Sequence, residues 1–188
     1  MSSHRSPATF VRVAAVGLLS GTLALGTAAA PAGAARDARD VPLVDQTGTT
    51  FTLRSLHRPA AVIFIDTDCD DACAIAEAVF ARLAEQLRQE RIDARLVTIT
   101  LDPAHEPPIV MANAARKFDA DPLRWRWASG EPRNVEDLMA AFNVVHVSKK
   151  IHSTFAYVLD SHGLPSRAIP LSTVAGAELL GALRTGRG

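Results

Sequence analysis

Apolar and polar positions change period several times along this chain, and each change marks an element. The stretch Val41 to Leu53, VPLVDQTGTTFTL, carries apolar residues on both sides of the turn signal Gln46-Thr47-Gly48, which predicts a short hairpin. Pro59 introduces AAVIFID, a run too short for a helix and too uniformly apolar for a half-exposed strand, so it predicts a fully buried central strand. From Asp71 the period becomes four. Ile75, Val79, Leu83 and Leu87, with Ala72, Ala76 and Phe80 beside them, form one apolar stripe on a helix that runs to about Gln89. Asp70 and Asp71 stand where a helix N-terminus favours negative charge.

A second buried strand, ARLVTITL, ends in Asp102-Pro103, where turn chemistry stops it, and Pro108 to Phe118 reads as the next helix. LRWRWAS alternates as a third strand whose Trp125 and Trp127 pack one face. Val135 to Phe142 is a short helix, and STFAYVLD and LPSRAIPL are two strands joined by a turn at Ser161-His162-Gly163. The amphipathic stretch Val174 to Leu183 closes the chain. This order predicts an α/β fold whose mixed sheet starts parallel and finishes antiparallel, flanked by helices and preceded by the hairpin. In open sheets of this kind chemistry collects at the carboxyl ends of strands. The chain has neither an internal repeat nor a Gly-rich phosphate loop.

Residues 1–34 follow another pattern. His4, Arg5 and Arg12 precede a charge-free run from Val13 to Ala35 that ends in small residues, with Ala32-Gly33-Ala34 matching a small-x-small cleavage site. We expect a signal peptide, or a membrane anchor if it is not cut, then a polar linker over 35–40 and one folded domain over 41–188 outside the cytoplasm. A 48% hydrophobic content suffices for one core. Arg5 and Arg12 are the only charged side chains before Arg36, which leaves 18 basic against 20 acidic in the folded part of a chain with equal totals. That balance gives no reason to expect nucleic acid or an anionic membrane surface as partner.

The chemistry is concentrated in DTDCDDACA, residues 66–74, which hold the only two cysteines, Cys69 and Cys73, among Asp66, Asp68, Asp70 and Asp71. If residues 69–73 are helical, their Cβ atoms stand about 5–6 Å apart on one face. A disulfide has a Cβ separation of about 3.8 Å, so it requires Cys69 to lie before the helix or the first turn to distort. Two thiolates at that reach converge on one metal ion without distortion, and soft thiolates favour Cu(I), with Zn(II) as competitor. Asp68 and Asp70 oppose ionisation of Cys69 while a helix N-terminus favours it. A bound cation gains from the same carboxylates. Asp66 and Asp68 read as solvated loop charges. The third ligand has to come from elsewhere, among His57, His105, His146, His152 and His162; His152, on a loop after the polar turn SKK and before STFAYVLD, is the candidate, with His146 as substitute. Met111 and Met139 are too isolated to form a methionine-rich copper site.

Three segments together resemble the Sco/SenC proteins: F-x-x-T-x-C-x-x-x-C at Phe64 to Cys73, T-x-D-P at Thr100 to Pro103, and H-S-x-F-x-Y-x-L-D-x-x-G at His152 to Gly163. The resemblance implies a thioredoxin-like three-layer sandwich and a copper site made of Cys69, Cys73 and His152. It also implies a role in assembling the dinuclear copper centre in cytochrome c oxidase subunit II, or serving another cuproprotein client, as copper chaperone, as thiol reductant, or both. In the second role Cys69 and Cys73 are the redox-active pair of a thiol-disulfide oxidoreductase. Three positions depart from the family pattern: Ala74 replaces the usual proline, Asp70-Asp71-Ala72 fills the gap between the cysteines, and Ile151 stands where an acidic residue commonly precedes the histidine.

Overall fold

A computed structural model describes residues 36–68, 71–148, 151–152 and 155–186, those at 71–72, 146–148 and 151–152 by their backbone alone. Cys69, Asp70, the Lys149-Lys150 turn, Ser153 and the expected leader over 1–34 lie outside the described residues. In chain order the elements are β1 (Leu43–Asp45), β2 (Thr50–Phe51), β3 (Ala60–Ile65), α1 (Asp71–Gln89), β4 (Arg95–Thr100), α2 (Pro108–Arg116), β5 (Trp125–Ser129), α3 (Pro132–Ala141), β6 (His146–Ser148), β7 (Ile151–His152), β8 (Phe155–Leu159), β9 (Pro165–Pro170) and α4 (Ala175–Thr185). Seven strands form one sheet in the order β2-β1-β5-β4-β3-β8-β9, and β6 and β7 form a separate two-stranded ribbon.

All six residues of β3 are buried because the strand has neighbours on both edges and helices over both faces. It pairs in parallel with β4 over its full length, from Ala60↔Arg95 to Ile65↔Thr100, and antiparallel with β8 from Ala60↔Leu159 to Ile63↔Ala156. Alternate side chains go to opposite faces. Ala61, Ile63 and Ile65 join Ala76, Phe80, Leu83 and Leu87 of α1, Met111 of α2 and Leu179 and Leu183 of α4. Ala60, Val62 and Phe64 join Val135 and Leu138 of α3, with Phe51, Phe142 and Tyr157. Helix, sheet, helix is therefore the layer order, as expected of a thioredoxin-like sandwich.

The expected strand Trp residues lie in the first layer: Trp125 and Trp127 are buried, Phe118 stacks on Trp127 at 5.5 Å between ring centroids, and the Trp125 indole N–H donates to Thr98 Oγ1 at 2.9 Å. Two hairpin turns are built alike. Asp45 Oδ1 accepts the N–H groups of Thr47 and Thr49, and Asp160 Oδ1 accepts those of His162 and Leu164. In the second turn Gly163 has φ +76°, and a Cβ there would stand 2.9 Å from the Leu53 carbonyl oxygen, so both conformation and space demand glycine.

Two readings change. Within the polar segment expected as linker, Ala38–Asp40 forms a single 3-10 turn, and Arg54 ties it down through Asp37 and Asp40. His152 is not in a loop: it ends β7, facing His146 across the ribbon. A strand of two residues is too short to display any period.

Candidate metal centre

The parallel strands β3 and β4 end side by side, and the loops that leave them are joined by one buried carboxylate. Leu101 N–H donates to the Ile65 carbonyl at 2.7 Å, which holds the two exits together. Glu106, 4% exposed, then accepts three hydrogen bonds: the Thr67 backbone N–H reaches Oε1 at 2.6 Å, the Thr67 hydroxyl donates to the same oxygen, and the Thr100 hydroxyl donates to Oε2. Thr100 Oγ1 in turn accepts the Asp102 N–H at 2.9 Å. A carboxylate that accepts this many donors satisfies the buried polar groups of two loops at once.

Asp66 is buried at 1% exposure, contrary to the expectation of a solvated loop charge, and its Oδ1 accepts the Asp68 N–H at 2.9 Å. The reason is tertiary: the residue directly follows a strand covered on both faces. Asp68 is exposed, as expected. Asp102 ends its strand by turn chemistry: its carbonyl accepts the N–H groups of His105 and Glu106, and its carboxylate meets the exposed His105 ring at 2.9 Å. His57 and His162 are exposed; His57 closes a 3-10 turn just before β3 and His162 follows Leu159, which pairs with Ala60, so both lie toward the amino end of β3 and not at its exit.

Cys73 occupies the first turn of α1, 2% exposed, in the same core layer as Ala76 and Phe80. Since α1 begins at Asp71, Cys69 precedes the helix in sequence, which is the condition a bridge between residues four apart requires. One turn further along, the half-buried Glu77 has its pKa raised from 4.5 by burial, opposed next by Lys117 and reinforced least by the charge of Glu106. Burial withholds water from the charged form, and a second carboxylate compounds the cost.

His152 enters through β8. Phe155 begins β8 just beyond the pair Ile63↔Ala156, so the antiparallel register brings the start of β8 to the carboxyl end of β3, the end from which α1 departs. Tyr157 and Phe64 fix that register from the other face, edge to face at 6.0 Å, with Phe142 at 5.0 Å from Tyr157; burial raises the Tyr157 pKa. Of the three expected ligands, the structure thus describes Cys73 fully and His152 by backbone, and Cys69 is outside it. Among the described residues no group of three or more His, Cys, Asp or Glu stands together as a metal site.

Glu106 and Thr67 are the components that sequence reading missed. A single glutamate in DPAHEPP carries no period and no ligand spacing; its only signal is a charged side chain between Pro103, after β4, and Pro107, the N-cap of α2.

Comparison with known proteins gives a consistent picture. The SCO1/SenC family profile matches residues 30–185. An SCO2-like protein of Rickettsia conorii is 25% identical over 135 residues, a match that covers 66% of this chain and 64% of that protein, so the chain spans somewhat less than two thirds of this relative. Copper-bound ScoI of Bradyrhizobium japonicum superposes with a TM-score of 0.64 at 22% identity, over 76% of this chain and 97% of that one. BsSco, described as a Sco-family cytochrome c oxidase assembly protein with a disulfide switch, superposes with a TM-score of 0.68 at 19% identity, over 77% and 90%. At these identities the superpositions establish the thioredoxin-like fold.

Proposed function

The chain belongs to the SCO1/SenC family, and from that premise we propose that it is an exported copper carrier. Residues 1–34 serve as signal peptide or membrane anchor, 35–40 lead out of it, and 41–188 form the working domain. No helix among the described residues is long and apolar enough to cross a membrane. Copper is cargo: Cys69, Cys73 and His152 take up Cu(I) and deliver it to the copper centre of cytochrome c oxidase subunit II or to another cuproprotein client. Two soft thiolates and an imidazole suit Cu(I), and the copper-bound ScoI relative supports that choice.

The observation that carries the reading is the convergence of the Cys73 turn of α1 and the entry to β8 at one end of the sheet. Loading requires any bridge between the two cysteines to be reduced first. An extracytoplasmic dithiol supplies two electrons and becomes a disulfide, and the two thiols lose two protons when they bind the cation.

The burial of Cys73 at the start of α1 favours a second reading, a thiol-disulfide oxidoreductase acting on client cysteines. One cysteine attacks the client disulfide and forms a mixed disulfide; the other displaces the client as a dithiol and restores the bridge. Buried Cys73 suits the resolving step. His152→Ala separates the two readings. Copper delivery predicts a weaker Cu(I) complex for this variant; reductase turnover predicts an unchanged rate with His152→Ala and none with either cysteine replaced.

A further inference from the structure

Glu106 belongs to none of the expected ligands, yet it is one of the few buried charged side chains among the described residues. Its two oxygens divide their work. Oε1 takes both the N–H and the hydroxyl of Thr67, two residues before Cys69, and Oε2 takes the hydroxyl of Thr100 at the end of β4. Thr100 belongs to a strand paired residue for residue with β3, so it is fixed by the sheet itself. Thr67 belongs to the connection between β3 and α1, which has no such ladder. The carboxylate therefore ties an irregular segment to a rigid one, and neither a neutral amide nor a shorter acid accepts the same three donors at both ends.

We propose that Glu106 is a positioning residue that holds the cysteine-bearing loop in one geometry, and so sets both how readily Cys69 and Cys73 pair and how tightly their thiolates take a metal ion. Thr67 precedes Cys69 by two residues in sequence, so loosening its tether should lower the effective concentration of one thiol at the other. Groups that orient metal ligands without touching the ion change affinity by about 10–100-fold. Only the metal half of this inference rests on the copper reading; the thiol half stands without it.

The test compares wild type, Glu106→Gln and Thr67→Val after thermal unfolding has established that each folds. Equilibration with a dithiol redox buffer reads the Cys69-Cys73 bridging constant, and anaerobic competition with a Cu(I) chelator reads affinity. Glu106→Gln should lower the bridging constant about tenfold, a rise of about 30 mV in midpoint potential, and weaken Cu(I) at least tenfold. Thr67→Val, which keeps the N–H bond, should show about threefold in each. The double variant should be no worse than Glu106→Gln, because both act through one tether. If wild type takes up no Cu(I), the copper reading fails and the bridging constant alone decides about Glu106. A folded Glu106→Gln within twofold of wild type in the bridging constant overturns the proposal; should Glu106→Gln not fold, a Thr67→Val value equal to wild type does so.

Discussion

Cys73 and His152, the two proposed ligands within the described residues, stand on unlike supports. Cys73 is carried by a helix of 19 residues whose Phe80, Leu83 and Leu87 are sunk in the larger core layer. His152 ends a strand of two residues whose ribbon stands apart from the seven-stranded sheet and pairs only with β6. The thiol support is thus coupled to global stability, whereas the described strand pairing of the imidazole support is confined to its own ribbon. If Cys73 and His152 share an ion as proposed, such a division would keep the thiol ligand precise and let the imidazole be gained or lost at low structural cost.

Removing the seat of α1 should have the largest effect. Phe80→Ala, at a fully buried position, should cost about 3–5 kcal/mol in chemical denaturation and take metal and thiol chemistry with it. His152→Ala should do the opposite. We expect Cu(I) affinity to fall at least about tenfold with an unfolding midpoint within the error of wild type; a clear loss of stability would erase the contrast between the two supports. Gly163→Ala strikes the β8-β9 turn from a distance. The left-handed backbone and the close Leu53 carbonyl predict a loss of about 1–3 kcal/mol, with the cysteine bridging constant unchanged.

The smallest effect concerns Glu77. Burial raises its pKa in the fold, so as pH rises past 4.5 the unfolded chain gives up its proton first and stability declines until the folded carboxyl ionises too. Glu77→Gln removes that decline. It should raise the melting temperature by about 1–3 °C at pH 7 and leave it unchanged at pH 3; a lower melting temperature at pH 7 would mean that Lys117 outweighs burial there.

The same contrast governs what the chain reveals before its structure is known. The four-residue period of α1 and the six-residue apolar run of β3 are local signals of elements that bury a face, and they locate Cys73 correctly. The ribbon carrying His152 has no such signal, because HVSKKIH is too short and too polar to alternate. His152 was accessible only through the spacing of its motif, and its strand not at all. Asp66 and Glu106 illustrate a further limit. Whether a charged loop residue is solvated or buried depends on which other loop covers it, and that contact between residues 67 and 106 spans an entire helix and strand.

The most direct test of copper handling is an anaerobic Cu(I) titration of reduced protein against a competing chelator, beside the Cys69→Ser/Cys73→Ser double variant. One Cu(I) per wild-type chain, and none held by the double variant, is the predicted result. Stoichiometric binding that survives the loss of both cysteines would contradict it.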